Sequence, residues 1–259
     1  MAANISISQN NQRADFDRMV RAVASASGLS PEQVVENYTI SKQTLLMVAP
    51  LSTGSQLYQF NPVQATGNPL PNGLAQIQMN KNDWFYISGL GLQFGKADFS
   101  SSSGSFSNVG NFPRFSFPDP NYFTGAPAGQ KTEVECLNTV VNGVLNLTVM
   151  SNPVIINLVC RNLVFNPQST YTSSPLAYPQ IGPSQSERGY NDLTPNVVLD
   201  GNADNVFTVT LANGAYTDID GATWPGTNAA TTRNLLYLCA DGWIVKNQAD
   251  GGRQCAQKV

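Results

Sequence analysis

From Thr39 onward the sequence is a succession of short apolar runs, each bounded by Gly, Pro, Asn or Ser. Punctuated runs of this kind are typical of β-strands. In two of them apolar residues recur at every second position: Leu145, Leu147 and Val149 in one, Phe207, Val209 and Leu211 in the other. That alternation indicates half-buried antiparallel strands. Because no helix of useful length is predicted after about residue 40, crossover helices for a parallel sheet are missing. We therefore predict a mainly β protein with a sandwich or jelly-roll architecture.

The first 40 residues have a different pattern. Within residues 12–27, four apolar residues recur at helical spacing with Arg and Asp between them: Phe16, Met19, Val20 and Val23. Gly28 follows as a helix stop, so this segment is predicted to be a short amphipathic helix.

A second helix is predicted directly after the first. Ser30 offers an N-cap, Pro31 suits the first helical position, and Gln33 completes a capping box, with the helix running to about Tyr38. The apolar stripe of this helical arm either packs over the sheet or faces a partner or a membrane. Packing is favoured, because the stripe is short and has no flanking Lys.

The charge content excludes several classes of protein. Charged residues make up 12% of the chain, and 14 Lys plus Arg face 17 Asp plus Glu, for a net charge of -3. No run of like charge forms a basic stripe, so direct binding to nucleic acid is not expected. The polar start and the lack of about 18 successive apolar residues predict neither a secretory signal nor a spanning helix.

The sequence contains no histidine, which removes His-dependent catalytic triads and most catalytic zinc sites. Carboxylate pairs remain at Glu133/Glu135 and at Asp218/Asp220. On a strand, residues i and i+2 point the same way, so each pair is a candidate for hydrolysis or for calcium binding. Short isolated motifs often occur by chance. We expect no enzyme activity, no metal and no cofactor.

The cysteines and tryptophans are best interpreted as structural. Cys136, Cys160, Cys239 and Cys255 lack CxxC spacing, and the first three lie in or beside apolar runs, which predicts buried, reduced thiols. Trp84 and Trp243 lie within strand-like runs and are predicted to serve the core. Trp224, in "TWPGT", has a loop setting and is the candidate for carbohydrate binding.

The order of the motifs along almost the whole chain carries a resemblance. The segments are "GLSPEQVVENYTIS", "NDWFYISGLGLQF", "VNGVLNLTV", "GYNDLTPNVVLDGNADNVFTVTL" and "LLYLCADGWIVKN". Together they resemble the major capsid proteins of small icosahedral phages of Bacteroidota hosts, in particular the lipid-containing, Flavobacterium-infecting kind.

The resemblance implies a coat protein of the double jelly-roll lineage. It implies a helical arm at residues 1–40, a first β-barrel at 41–135 and a second at 136–259. A single jelly roll with long loops is the alternative within the same function. The chain would be made in the host cytoplasm and form homotrimeric capsomers in the virion capsid.

The partners implied are neighbouring capsomers, other virion proteins and an internal membrane. Phe16, Met19, Val20 and Val23 are the predicted subunit or membrane contact. The alternative function is a β-sandwich binding module, such as a virion spike that binds a receptor or a carbohydrate, and a carboxylate hydrolase on a jelly-roll scaffold is the third.

Overall fold

The computed structural model describes residues 2–63, 76–100, 105–107, 113–124, 132–164, 190–211, 219 and 232–247. For residues 2–12, 99, 100, 105–107 and 195 it describes the backbone alone. Asp218, Asp220, Trp224 and Cys255 lie outside the described residues. The helices are α1 (Ala2–Ser27), α2 (Pro31–Asn37) and α3 (Glu133–Val141). The strands are β1 (Tyr38–Pro50), β2 (Leu57–Phe60), β3 (Trp84–Ser100), β4 (Ser105–Ser107), β5 (Val144–Val149), β6 (Asn152–Val159), β7 (Asn191–Asp200), β8 (Asn205–Thr210) and β9 (Thr232–Asn247).

The two predicted helices of the arm are present. The helix predicted for residues 12–27 is the second part of the longer α1, and Gly28 ends it with a φ of 72°. At α2 the capping box is complete: the Gln33 backbone N–H donates to Ser30 Oγ at 3.3 Å, and the Ser30 N–H donates to Gln33 Oε1 at 2.9 Å. Local capping therefore sets where the arm changes direction.

The strands form two antiparallel sheets. The five-stranded sheet runs β1-β9-β3, and β7 and β4 both pair with the remaining edge of β3, at opposite ends of that strand. The four-stranded sheet runs β2-β8-β5-β6. All of these strand pairs are antiparallel, which confirms the prediction of a mainly β, antiparallel fold.

The core lies between the two sheets. The predicted inward residues Leu145, Leu147, Phe207, Val209 and Leu211 are all buried in it. The five-stranded sheet contributes apolar side chains from its facing side, among them Leu45, Met47, Leu92, Leu236 and Leu238. The period-2 pattern thus reports which side of each strand faces the opposite sheet.

The strand pairing does not follow the expected division into barrels at 41–135 and 136–259. β1 pairs with β9 from Tyr38↔Asn247 to Pro50↔Leu235, and β2 pairs with β8. Each sheet therefore combines strands from before and after residue 135. The physical reason is that an early strand satisfies its backbone groups with whichever strand lies beside it, however distant in sequence.

Helix α3 corrects the expectation that no helix follows residue 40. Thr132 caps it, and Glu135 at the third helical position completes a capping box. Its apolar side chains Leu137, Val140 and Val141 are buried in the core. Glu133 and Glu135 therefore lie on a helix and not on a strand. The sequence Thr-x-x-Glu ahead of an apolar run is the local signal from which this helix could be predicted.

Candidate interaction surface

The predicted contact residues of the arm lie against the five-stranded sheet. Met19, Val20 and Val23 are buried, and Phe16 is partly buried. They form one cluster with Tyr86 and Val245 and with partly buried neighbours on β1, β3, β7 and β9. The interpretation of the stripe as a packing arm is confirmed. Contact of these four residues with a neighbouring subunit or a membrane stays a prediction.

Two contacts of Trp243 on β9 hold α1 against the sheet. Trp243 Nε1 donates a hydrogen bond to Asp15 Oδ2 at 2.8 Å, and the rings of Phe16 and Trp243 meet edge to face with centroids 5.5 Å apart. Burial, and to a lesser extent the charge of Asp15, raises the pKa of the nearby Tyr86 phenol. The hydrogen bond to the Asp15 carboxylate therefore adds to the apolar packing that holds the arm in place.

A groove lies between α1 and α2. Its volume is about 500 Å³, and it is lined by Phe16, Asp17, Val20, Arg21, Pro31, Glu32, Val35 and Glu36. Apolar side chains alternate in it with three acids and one arginine, and Val35 is exposed.

The acid pair at Glu133/Glu135 is not brought together as a catalytic pair. Glu135 Oε2 accepts the Thr132 backbone N–H at 2.6 Å and so belongs to the helix cap. Glu133 instead forms a buried ion pair with Lys96 on β3, whose Nζ lies 3.1 Å from each carboxylate oxygen. Both carboxylates are thus engaged in contacts that hold α3 in place.

The Lys96–Glu133 pair is enclosed by aromatic rings. The Lys96 Nζ lies 5.4 Å from the ring centroid of Tyr122 and 5.2 Å from that of Phe123. The exposed fraction of the two charged side chains is 8% for Lys96 and 1% for Glu133. Ring faces add cation–π attraction to the ion pair, which offsets part of the cost of desolvating the ammonium.

The predictions for the cysteines and for Trp84 and Trp243 hold where the structure describes these residues. Cys136, Cys160 and Cys239 are buried free thiols, as expected. Trp84 and Trp243 are partly buried in the cluster beneath α1. In the part of the chain that the structure describes, no three acidic or thiol side chains come together as a metal-binding group. None of the described helices is long and apolar enough to span a membrane.

The most unusual surface is the outer face of the four-stranded sheet. We define it as the side chains that alternate with the buried ones: Leu57, Gln59, Val144, Asn146, Thr148, Val154, Ile156, Val159, Val206, Thr208 and Thr210. None of these residues is charged. Four of them are large, exposed apolar side chains: Leu57, Val154, Ile156 and Val159.

Exposure is greatest along β6, the strand at one edge of this sheet. Its partner in the described structure is β5. Ile156 is 65% exposed, and Val154 and Val159 are exposed beside it, whereas Ile155 and Leu158 turn toward the core. The adjoining turn adds Met150, also exposed. Clustered exposed apolar side chains on an uncharged face are typical of contact surfaces.

The outer side of the five-stranded sheet, in contrast, is covered. There α1 covers Tyr86 and Val245, and a second cluster buries Val48, Leu235 and Tyr237. The sequence analysis does not predict this contrast between a covered and an uncovered sheet, because "PVIINLVC" reads as one more buried strand. The available signal is that this run breaks the alternation of its neighbours and carries no charge.

Comparisons of the chain with protein-family models, with curated proteins and with solved structures found no match.

Proposed function

We propose that the chain is a structural protein, the major subunit of the icosahedral capsid of a virion. The observation that carries the proposal is the uncharged outer face of the four-stranded sheet, with exposed apolar side chains along β6. A subunit that occurs in many copies has to meet itself without like-charge repulsion. A neutral, partly apolar face is suited to that purpose.

The strand order supports a jelly roll with one barrel. When the short β4 is left out and the other strands are renumbered one to eight, the sheets run 1-8-3-6 and 2-7-4-5. This is the order produced by rolling up a long antiparallel hairpin of eight strands, the arrangement found in viral capsid and lectin domains. We therefore favour the single jelly roll with long loops over the double one.

The engaged carboxylates also support a structural role. Glu133 is paired with Lys96, and Glu135 caps α3, so neither is placed as the acid or base of a hydrolase. The binding-module alternative rests on Trp224, which lies outside the described residues.

Homotrimeric capsomers are the assembly that we propose. The arm would lie at the base of the shell, and Phe16, the partly exposed member of its stripe, is the residue best placed to reach a neighbour or an internal membrane. Met19 is better left intact in a test, because it is fully buried and its loss would destabilise the fold.

Native mass by light scattering behind a sizing column tests the proposal. A stable species near three times 27.8 kDa, or larger particles that electron microscopy resolves as closed shells, is the expected result. A monomer at every concentration and salt condition tried would contradict the capsid proposal. That result would favour the alternative function, a binding module. The next experiment would then be a glycan-binding screen, with Trp224→Ala as the control.

A further inference from the structure

We infer that β6 is a self-docking edge, at which the strand of one chain pairs antiparallel with β6 of a second copy. The inference deepens the proposed function and rests on it for the identity of the occupant. β6 pairs with β5 on one side, and none of the other described strands pairs with its second side. An edge strand in that position presents backbone N–H and C=O groups that a further strand can satisfy.

The side chains of this edge carry no charge, and charge is one of the usual protections against such pairing. Natural edges are commonly blocked by Lys or other charges, by Pro or by bulges. Here the chain carries no charged residue from Cys136 to Cys160, and Pro153 lies at the beginning of the strand. Two register shifts occur in β6, one at Val154 and one near Asn157, whose N–H donates to Asn146 Oδ1 at 2.7 Å, on the side of β5. The side chains of Val154 and Ile156 are exposed.

Charge and symmetry favour a second copy over a different partner. An antiparallel strand can pair with its own copy about a two-fold axis, so that the same residues face each other. In that arrangement Ile156 and Val154 of one chain meet the same apolar pair of the other, and no like charges are opposed. Because the edge has no charged side chains, it cannot form the ion pairs that would favour a charged partner.

The size of the surface predicts a weak contact. β6 has 8 residues. At about 3.4 Å per residue it is about 27 Å long. A contact of that length along the edge of a single strand buries less than the roughly 800 Å² per partner of a standard stable interface. Self-association through β6 alone is expected to be reversible and concentration-dependent.

The test compares Ile156→Lys with Val35→Lys in the full chain. Both replace an exposed apolar residue, 65% and 51% exposed respectively, but Val35 lies on α2, away from the four-stranded sheet. Light scattering and sedimentation over a wide concentration range give the association constant, and circular dichroism checks that each variant is folded. Ile156→Lys is expected to weaken self-association at least about tenfold, because two-fold pairing opposes two lysines, while Val35→Lys leaves it unchanged.

The outcomes separate this inference from the proposed function. Wild-type association that Ile156→Lys does not weaken overturns the β6 edge and leaves the capsid proposal standing. Association that is lost in Ile156→Lys but never proceeds beyond a dimer supports the edge and contradicts the capsid. A monomeric wild type that sediments with phosphatidylcholine vesicles, through a contact that Ile156→Lys abolishes, overturns the second copy as occupant in favour of a lipid surface.

Discussion

Asp15 and Trp243 lie at opposite ends of the chain, and the indole Nε1 of Trp243 donates a 2.8 Å hydrogen bond to Asp15 Oδ2. The bond joins the first helix to the last strand, which is itself paired with β1 and β3. The arm is therefore part of the folded domain and covers a sheet face that would otherwise be open. This arrangement has a measurable energetic consequence.

Replacing Trp243 with Phe and Asp15 with Ala, singly and together, measures that link. Because the hydrogen bond has a charged acceptor and is partly buried, we expect a coupling free energy of about 1–2 kcal/mol in chemical denaturation. Asp17→Ala is the control, since Asp17 is exposed in the same helix. A coupling energy near zero would show that the bond does not hold the arm.

The buried Lys96–Glu133 pair predicts asymmetric effects of mutation. Glu133→Gln leaves the Lys96 ammonium buried without its counter-charge, so we expect the free energy of unfolding to fall by about 3–5 kcal/mol. The double change Lys96→Met with Glu133→Leu removes both charges and is expected to be close to neutral. A double variant as unstable as the single one would contradict this account.

The exposed pair Lys42–Asp241 serves as the comparison for the buried one. Its atoms lie 3.3 Å apart, but the side chains are 40% and 17% exposed. Solvent screens such a pair, so Lys42→Met is expected to cost less than about 1 kcal/mol. Urea denaturation of both sets of variants in the same buffer gives the difference directly.

The buried thiols and phenols predict alkaline sensitivity. Burial raises the pKa of Cys160 to about 12 and that of Cys239 to about 11, and also raises the pKa of Tyr190 and of Tyr237 to about 12. These pKa values lie above those of the unfolded chain, which are near 9.0 for Cys and 10.0 for Tyr. The folded form therefore keeps these protons up to a higher pH than the unfolded chain does. The stability they contribute is present below about pH 9 and is lost as the pH rises through the folded values.

Thermal melting between pH 7 and pH 11 checks this expectation, with a melting temperature that falls in the upper part of the range. Thiol labelling gives a second readout. In a Cys255→Ser background, the native protein at pH 8 should react slowly with Ellman's reagent, and the denatured protein should react at once. Fast labelling of the native chain would contradict the burial of the three thiols.

The β5–β6 turn predicts a stabilising substitution. Met150 and Ser151 have φ values of 49° and 67°, and Val149 pairs with Asn152, so the two residues form a two-residue turn with both φ positive. Asn-Gly is the preferred sequence there, since other residues are strained in the left-handed region. Met150→Asn with Ser151→Gly is expected to raise the free energy of unfolding by about 1–2 kcal/mol. An unchanged or lower stability would show that Met150 contributes packing that outweighs the strain.

Much of the local structure could be predicted from the sequence, and the positions that were missed have local causes. The capping box at Ser30 and the stripe at Phe16 and Met19 identified the arm, because these signals depend on neighbours a few residues away. The same kind of signal is present at Thr132 and Glu135, but the strand-like runs on either side favour a β interpretation, and α3 is therefore not among the predicted elements. For the candidate surface, the sequence identified β6 as a strand and did not indicate its exposure.

The sequence by itself determined the class of the fold, the inward face of β5 and β8, the helical arm and the buried thiols. Side-chain alternation, helix caps and apolar runs act over a few residues, and their physics is readable from adjacent letters. The tertiary structure alone decided that β1 lies beside β9, that Lys96 meets Glu133, and that β6 is an open edge. A strand's backbone groups are the same in every residue, so which strand they bind, or whether they remain unpaired at an edge, depends on how distant segments pack.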